Sequence, residues 1–202
     1  MSEFDRKAAS WDDEQKALRA RRVADAIARR VPLSRETTVL EYGAGTGLLA
    51  LALLGRVGRV TLADSSPGML EIARRKIVAG GLENASTLLL DLSRDPPPPE
   101  RFDVVCSLLT LHHVPDTDAL LSDLASLLRT PGFVCLADLD TEDGSFHGPD
   151  AEVHRGFDRA DLAARMERAG FHDVHLEDAG EISREGKGGV RTYPLFLAVG
   201  AR

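Results

Sequence analysis

The sequence predicts a three-layer α/β/α fold around a mostly parallel seven-stranded sheet whose last strand runs antiparallel. Three observations predict it. Short β-branched or apolar runs alternate with helically spaced apolar stripes through most of the chain, the pattern of strand–helix units in a parallel sheet. One strand runs straight into a glycine cluster and then a helix at residues 39–48. The last two strand-like runs, 172–178 and 193–200, are joined by a polar, glycine-rich stretch with no helical stripe. Without a crossover helix those two strands pair antiparallel.

Each element follows from its residues. Ala20, Val23, Ala24, Ile27 and Val31 share one face of a first helix, residues 20–31. Residues 37–42 start β-branched and stop at the glycines, a first strand. Residues 48–54 are continuously apolar, a helix buried nearly all round. Residues 59–64 make the second strand. Ser66 can cap the next helix with Pro67 at its first position, and Gly80-Gly81 closes it. Residues 88–90 are a third strand ending at Asp91. Asp95-Pro-Pro-Pro-Pro-Glu100 can be neither helix nor central strand and reads as a surface connector. Residues 102–109 form the fourth strand, residues 120–128 carry a leucine stripe, and residues 133–139 form the fifth strand. Asp158 can cap a helix bearing Leu162, Ala163, Met166 and Ala169, ended by Gly170. The connection 180–192 reads as a loop.

At 202 residues, with no linker and no internal repeat, the chain reads as one domain, 1–202. Within it, 1–34 reads as an amino-terminal helical flap, 35–140 as a cofactor-binding half, and 141–202 as an acceptor-side loop, helix and terminal hairpin. The composition, 43% hydrophobic and 28% charged, is that of a soluble globular protein. A net charge of −7 argues against a nucleic-acid binder or an anionic-membrane protein, which normally carry a basic face. No apolar run approaches the roughly 20 residues of a membrane span, so no membrane insertion is expected. Cys106 and Cys135 sit inside apolar runs and read as buried core thiols of a reducing, cytoplasmic compartment.

The most informative stretch is Glu41-Tyr-Gly-Ala-Gly-Thr-Gly47. Glycines at alternate positions permit a tight turn and let a ligand approach bare main chain, and the helix beyond offers unpaired N–H groups. Taken alone this could be a dinucleotide site. The third glycine, however, falls one residue early, and Glu41 at the strand end would repel a pyrophosphate while attracting an amine. Asp64 and Asp91 end the next two strands. Three acids at three strand ends beside a glycine loop point to one nucleoside ligand with a cationic tail, Asp64 being placed to accept from ribose hydroxyls.

These residues resemble the class I S-adenosylmethionine-dependent methyltransferases, and the likeness runs over most of 35–139. Glu41, Gly43, Gly45 and Gly47 match the family's glycine-rich first motif, Asp64 its ribose-binding acid, and Asp91 with Leu92 its adenine-binding position. Phe102 to Val114 resembles the fourth-strand motif of the small-molecule, quinone-biosynthesis-like subgroup. The resemblance implies a Rossmann-like methyltransferase fold that binds S-adenosylmethionine and releases S-adenosylhomocysteine. Ser65 and Met69 belong beside Asp64, and Ser107 or Leu108 would offer a carbonyl to the donor's ammonium. It further implies a flap carrying Trp11 over the donor. A nicotinamide oxidoreductase or a non-catalytic adenosyl-cofactor binder would share parts of this pattern.

Methyl transfer from a sulfonium needs alignment more than acid–base chemistry, so the catalytic group is harder to read. His112 and His113, just past the fourth strand, are the candidates near the methyl. His147, His154 and Asp150 could together bind a metal on paper, but spacing in a long loop is weak evidence, and no metal is expected. Residues 138–161 hold eight acids against two arginines, a local charge of −6. That field leads to the expectation of a neutral or cationic small-molecule acceptor, enclosed by loop 141–157 and the Trp11 flap. The oligomeric state is not legible.

Overall fold

The computed structural model describes residues 3–148, 151–186 and 189–202. The strands are β1 (Thr38–Tyr42), β2 (Arg59–Asp64), β3 (Ala85–Leu89), β4 (Phe102–Leu108), β5 (Leu128–Leu139), β6 (His172–Gly186) and β7 (Gly189–Ala201). They form one sheet in the order β3-β2-β1-β4-β5-β7-β6. The first five pair parallel, while β7 runs antiparallel to both β5 and β6. Strand order reverses between β1 and β4, which opens a crevice at their carboxyl ends, where open α/β sheets bind ligands.

Alternation along the strands feeds two cores. Val39, Val60, Val104 and Cys106 point to one face, where Ala20, Val23 and Ile27 of α2 (Glu14–Arg30) and Leu49, Ala50 and Leu53 of α3 (Leu48–Leu53) cover them. Leu40, Val105 and Val134 point to the other face, against Leu120, Leu121 and Leu124 of α5 (Thr117–Ser126) and Leu162 and Met166 of α6 (Arg159–Arg168). Ser66 caps α4 (Pro67–Ala79) by accepting from the Met69 N–H, with Pro67 in the first turn. Asp158 caps α6 through two N–H groups.

Three boundaries differ from the sequence reading. The third strand ends at Leu89, two residues before Asp91, which lies in a turn and accepts from the Ser93 hydroxyl at 2.5 Å. The segment 1–34 divides. The short helix α1 (Glu3–Lys7) and the residues around Trp11 lie by the crevice, whereas α2 is a full member of the helical layer. Residues 180–186 and 189–192 are strand rather than loop, since β6 continues to Gly186 and β7 begins at Gly189. Ile182 and Tyr193 face each other in register and bury with Leu139, Phe146 and Leu195 in a small third core. That side-chain cluster outweighs the local glycine and polar content.

Candidate active site

A cavity of about 560 Å³ occupies the crevice at the carboxyl ends of β1, β2 and β4. Glu41, Gly43, Gly45, Asp64, Ser65, Met69, Asp91 and Leu108 are on its wall, as are His112 and His113. Gly47, Leu92 and Ser107 are not. Gly47 begins α3 in the left-handed region, and a Cβ there would meet Leu62 Cδ2 at 2.1 Å, so this glycine serves close helix–sheet packing. Leu92 is buried, its N–H donating to the Tyr42 hydroxyl. Ser107 is fully buried and donates to the Tyr42 carbonyl at 2.8 Å, bracing β1 against β4.

Asp64 organises the donor end. It accepts from the Gly45 N–H at 2.7 Å and the Ser66 N–H at 2.8 Å, so one carboxylate ties the glycine loop to the start of α4. Burial raises its pKa, against the pull of those N–H groups. Gly45, also left-handed, has no close obstruction to a Cβ: Trp11 Nε1 at 3.8 Å and the Met69 sulfur at 4.0 Å are its nearest neighbours. Bare main chain here faces the cavity. Glu41 is buried behind the loop, accepts from the Ala50 N–H at 2.8 Å, and is pushed up to about 8 by burial.

The amino-terminal segment is latched over this end by two acids. Asp5 accepts from the Ser66 hydroxyl at 2.6 Å and the Gly68 N–H at 3.0 Å. Asp12 accepts from the Thr46 hydroxyl and pairs with Lys76, both at 2.5 Å. Phe4 and Trp11, edge to face at 5.9 Å, thereby reach the cavity wall, and Phe4 meets the His113 ring at 5.3 Å.

Also on this wall, His112 is buried and fixed by Asp138, itself fully buried. Nδ1 lies 2.6 Å from Asp138 Oδ1, and the His112 N–H donates to Oδ2 at 3.3 Å. A carboxylate only accepts, so Nδ1 carries a proton and Nε2 is the basic nitrogen. His147 Nε2 stands 3.0 Å from that Nε2. Burial, with His112 and Arg184 nearby, lowers the His147 pKa and favours its neutral form. His154 lies apart from this group, at 3.0 Å from the Val114 carbonyl. Asp150, grouped with it as a metal ligand on sequence grounds, falls outside the described residues.

The described acids of 138–161 do not line the cavity. Asp140 takes a two-pronged pair from Arg159, Glu142 accepts from the Gly144 and Phe146 N–H groups, and Asp143 pairs with Arg191. Asp158 caps a helix and Asp161 pairs with Arg165. None of the described acids of that segment is on the cavity wall. The expectation of a neutral or cationic acceptor therefore loses its support, because these charges are spent inside the loop and at its edges.

The family model described as a methyltransferase domain matches residues 15–176, most of the chain and all of the parallel sheet. The chain belongs to this family. It is similar to the malonyl-[acyl-carrier protein] O-methyltransferase of Halorhodospira halophila, 33% identical over 187 residues, covering 86% of this chain and 61% of that protein. It is also similar to the ubiquinone biosynthesis O-methyltransferase of Xylella fastidiosa, 32% identical over 209 residues, covering 92% and 82%. The fold matches a SAM-dependent methyltransferase from Aquifex aeolicus, with a TM-score of 0.71 at 18% identity over 98% and 97% of the two chains. The family is thus that of methyltransferase domains, and the fold is shared with a SAM-dependent methyltransferase. Among the described residues no helix is long and apolar enough to cross a membrane.

Sequence reasoning missed Asp138 as the partner of His112, and it missed Arg19, Phe146 and Arg184 on the wall. Asp138 carried a signal: it stands near the carboxyl end of β5, paired in register beside β4. The others had none, since they meet only through tertiary packing.

Proposed function

We propose that this chain methylates a hydroxyl oxygen of a small-molecule acceptor, with S-adenosylmethionine as donor and the His147–His112–Asp138 chain taking the proton. One observation carries the reading: a bare glycine turn held by a partly buried acid, and a carboxylate-braced imidazole pair, open into the same cavity. The donor end fits the donor. Gly43 and Gly45 offer main chain to its methionine part, Glu41 lies behind its ammonium, Asp64 takes ribose hydroxyls, and Asp91 lies toward its adenine. Leu108, Ser65 and Met69 complete that wall. When bound, the donor supplies an activated carbon, so that its sulfur–methyl bond breaks as the oxygen–methyl bond forms, leaving a neutral thioether.

The residues of the chain do the rest. Phe4 and Trp11 exclude water from the donor end. The proton lost by the acceptor hydroxyl comes to rest on the His147–His112 pair, where the Asp138 carboxylate stabilises the imidazolium. His113 packs between His112 and Phe4 and shapes the wall. Donor atoms of His112, His113 and His147 lie within 4.8 Å of one another, a spacing a metal could use. Asp138 behind His112 and the 3.0 Å contact before it favour the proton path. The acceptor is read as a small molecule rather than a nucleic acid, and buried free Cys106 and Cys135 fit a cytoplasmic setting.

The test uses donor bearing a labelled methyl group, incubated with the protein and a metabolite extract. The expected result is a labelled product, with S-adenosylhomocysteine binding and NADH not binding by calorimetry. His112→Asn is expected to lower transfer about 10²–10⁴-fold while leaving S-adenosylhomocysteine affinity unchanged. Failure to bind S-adenosylhomocysteine, or full transfer by the folded variant, overturns the assignment.

A further inference from the structure

Two guanidinium groups stand on the cavity wall with no acid against them. Arg19 comes from α2 and Arg184 from β6. Arg19 Nε is buried and has no hydrogen-bond partner. Arg184 lies flat over the Phe146 ring, its Cζ 3.6 Å from the ring centre, and donates to the Phe146 carbonyl. Stacking and that bond fix the plane of the group while leaving further N–H donors of its fork unspent.

The acids that act on these arginines are engaged elsewhere. Asp13, nearest in effect to Arg19, is held by the Lys16 ammonium at 2.6 Å. Glu142, which acts on Arg184, accepts from two main-chain N–H groups. Among the described residues neither arginine is in an ion pair. Burial lowers the pKa of both, and they repel each other. Arg19 is partly buried and Arg184 is exposed, and an anion in the cavity would supply the ion-pair partner that neither has.

Arg184 also has a definite neighbourhood. Its stacking partner Phe146 lies 4.9 Å from the His147 ring, and its charge acts on His147. It therefore belongs to the proton-accepting part of the cavity. Phe146 and Ile182 give that part apolar surface.

We propose that the acceptor is a hydroxylated organic acid, an aryl or alkyl carboxylate whose carboxylate is held by Arg184 with Arg19 facing it. A guanidinium fork matches a planar carboxylate, and anchoring it there presents the hydroxyl to the histidine pair. The proposal rests on the methyl-transfer reading above and names its substrate class.

Benzoate and benzamide, alike in size and differing in charge, are titrated by ligand-observed NMR into protein saturated with S-adenosylhomocysteine. Filling the donor site first removes the donor's own carboxylate as a source of the effect. Benzoate is expected to bind at least about tenfold tighter than benzamide. Arg184→Met is expected to abolish the preference, Arg19→Met to weaken it, and Arg184→Lys to restore part of it, with donor-product affinity unchanged. Equal binding of the two probes by the wild type, or a preference surviving Arg184→Met, overturns the proposal. Loss of S-adenosylhomocysteine affinity in Arg184→Met overturns it too, by assigning the arginine to the donor. If the wild type bound no S-adenosylhomocysteine at all, the methyl-transfer reading itself would fall.

Discussion

The wall formed by β1, β2 and the start of α4 is main chain held in place by acids, whereas the wall formed by His112, Phe146, His147 and Arg184 is rings and a guanidinium group. At the first, Asp64 and Glu41 accept from N–H groups of the glycine loop and α3, so binding and folding share the same atoms. At the second, His112, Phe146, His147 and Arg184 meet through side chains, with the acids used as braces behind them. The difference teaches that a donor common to a family can be met with backbone geometry. On the proposed reading, the acceptor is met with side chains.

The sharpest way to break that contrast lies within the glycine loop. Gly47→Ala forces a Cβ to 2.1 Å from Leu62 Cδ2 at a left-handed position, and overpacking plus strain should cost on the order of 2–5 kcal/mol. That corresponds to a fall in Tm of roughly 2–4 °C per kcal/mol. Gly45→Val instead puts its branches toward the cavity, where Trp11 and Met69 stand well back. A β-branched residue at this left-handed position also costs stability through backbone strain, without the clash, and S-adenosylhomocysteine affinity should fall at least about tenfold. Thermal melts and calorimetry on both variants check this, and a Gly45→Val protein with full affinity would make the whole loop a structural turn.

Next in size is Asp64. Asp64→Asn keeps the shape and the Gly45 contact but removes the charge, and should weaken S-adenosylhomocysteine binding by about 1.5–3 kcal/mol. Asp64→Ala should lose the same affinity and melt lower as well, since two N–H groups lose their acceptor. Unchanged affinity in the folded Asn variant would remove Asp64 from the ligand site.

The smallest effect concerns Glu41 and pH. Its folded pKa, about 8, stands above the usual 4.5. Between those values the folded protein keeps a proton that the unfolded chain has released, so this group makes stability fall as pH rises. Below 4.5 both states are protonated, and above about 8 both are ionised, so the slope ends there. Glu41→Gln keeps the acceptor for the Ala50 N–H and removes the titration. Its Tm relative to wild type should rise steadily from about pH 5 to about pH 8. Parallel curves would show that Glu41 is ionised in the fold.

How much was legible follows the same division. Glu41, Gly43, Gly45, Asp64, Ser65, Met69 and Asp91 lie within 51 positions of chain, and each stands at or near a strand end that local pattern locates. Gly47 was legible as a glycine but not as a packing residue, because its reason is Leu62 on the neighbouring strand. Ser107 and Leu92 read as ligand contacts in the sequence, yet the Ser107 hydroxyl donates to the Tyr42 carbonyl and the Leu92 N–H to the Tyr42 hydroxyl. The hairpin beyond Gly180 was read as a loop because glycine and charge dominate it locally, while Ile182 and Tyr193 decide it across the sheet.

By itself the sequence determined the strand–helix alternation, the closing antiparallel pair, the two caps at Ser66 and Asp158, and a donor end made of one short glycine turn. These depend on periodicity and on backbone freedom, which act between residues close along the chain. Only the tertiary structure decided which acids face the cavity and which are consumed by Arg159, Arg165 and Arg191. Only it brought Asp138 to His112 across 26 residues, and Arg19 and Arg184 to one cavity. Charge and hydrogen bonding act through space, so the sign of a site depends on which partners the fold brings within reach.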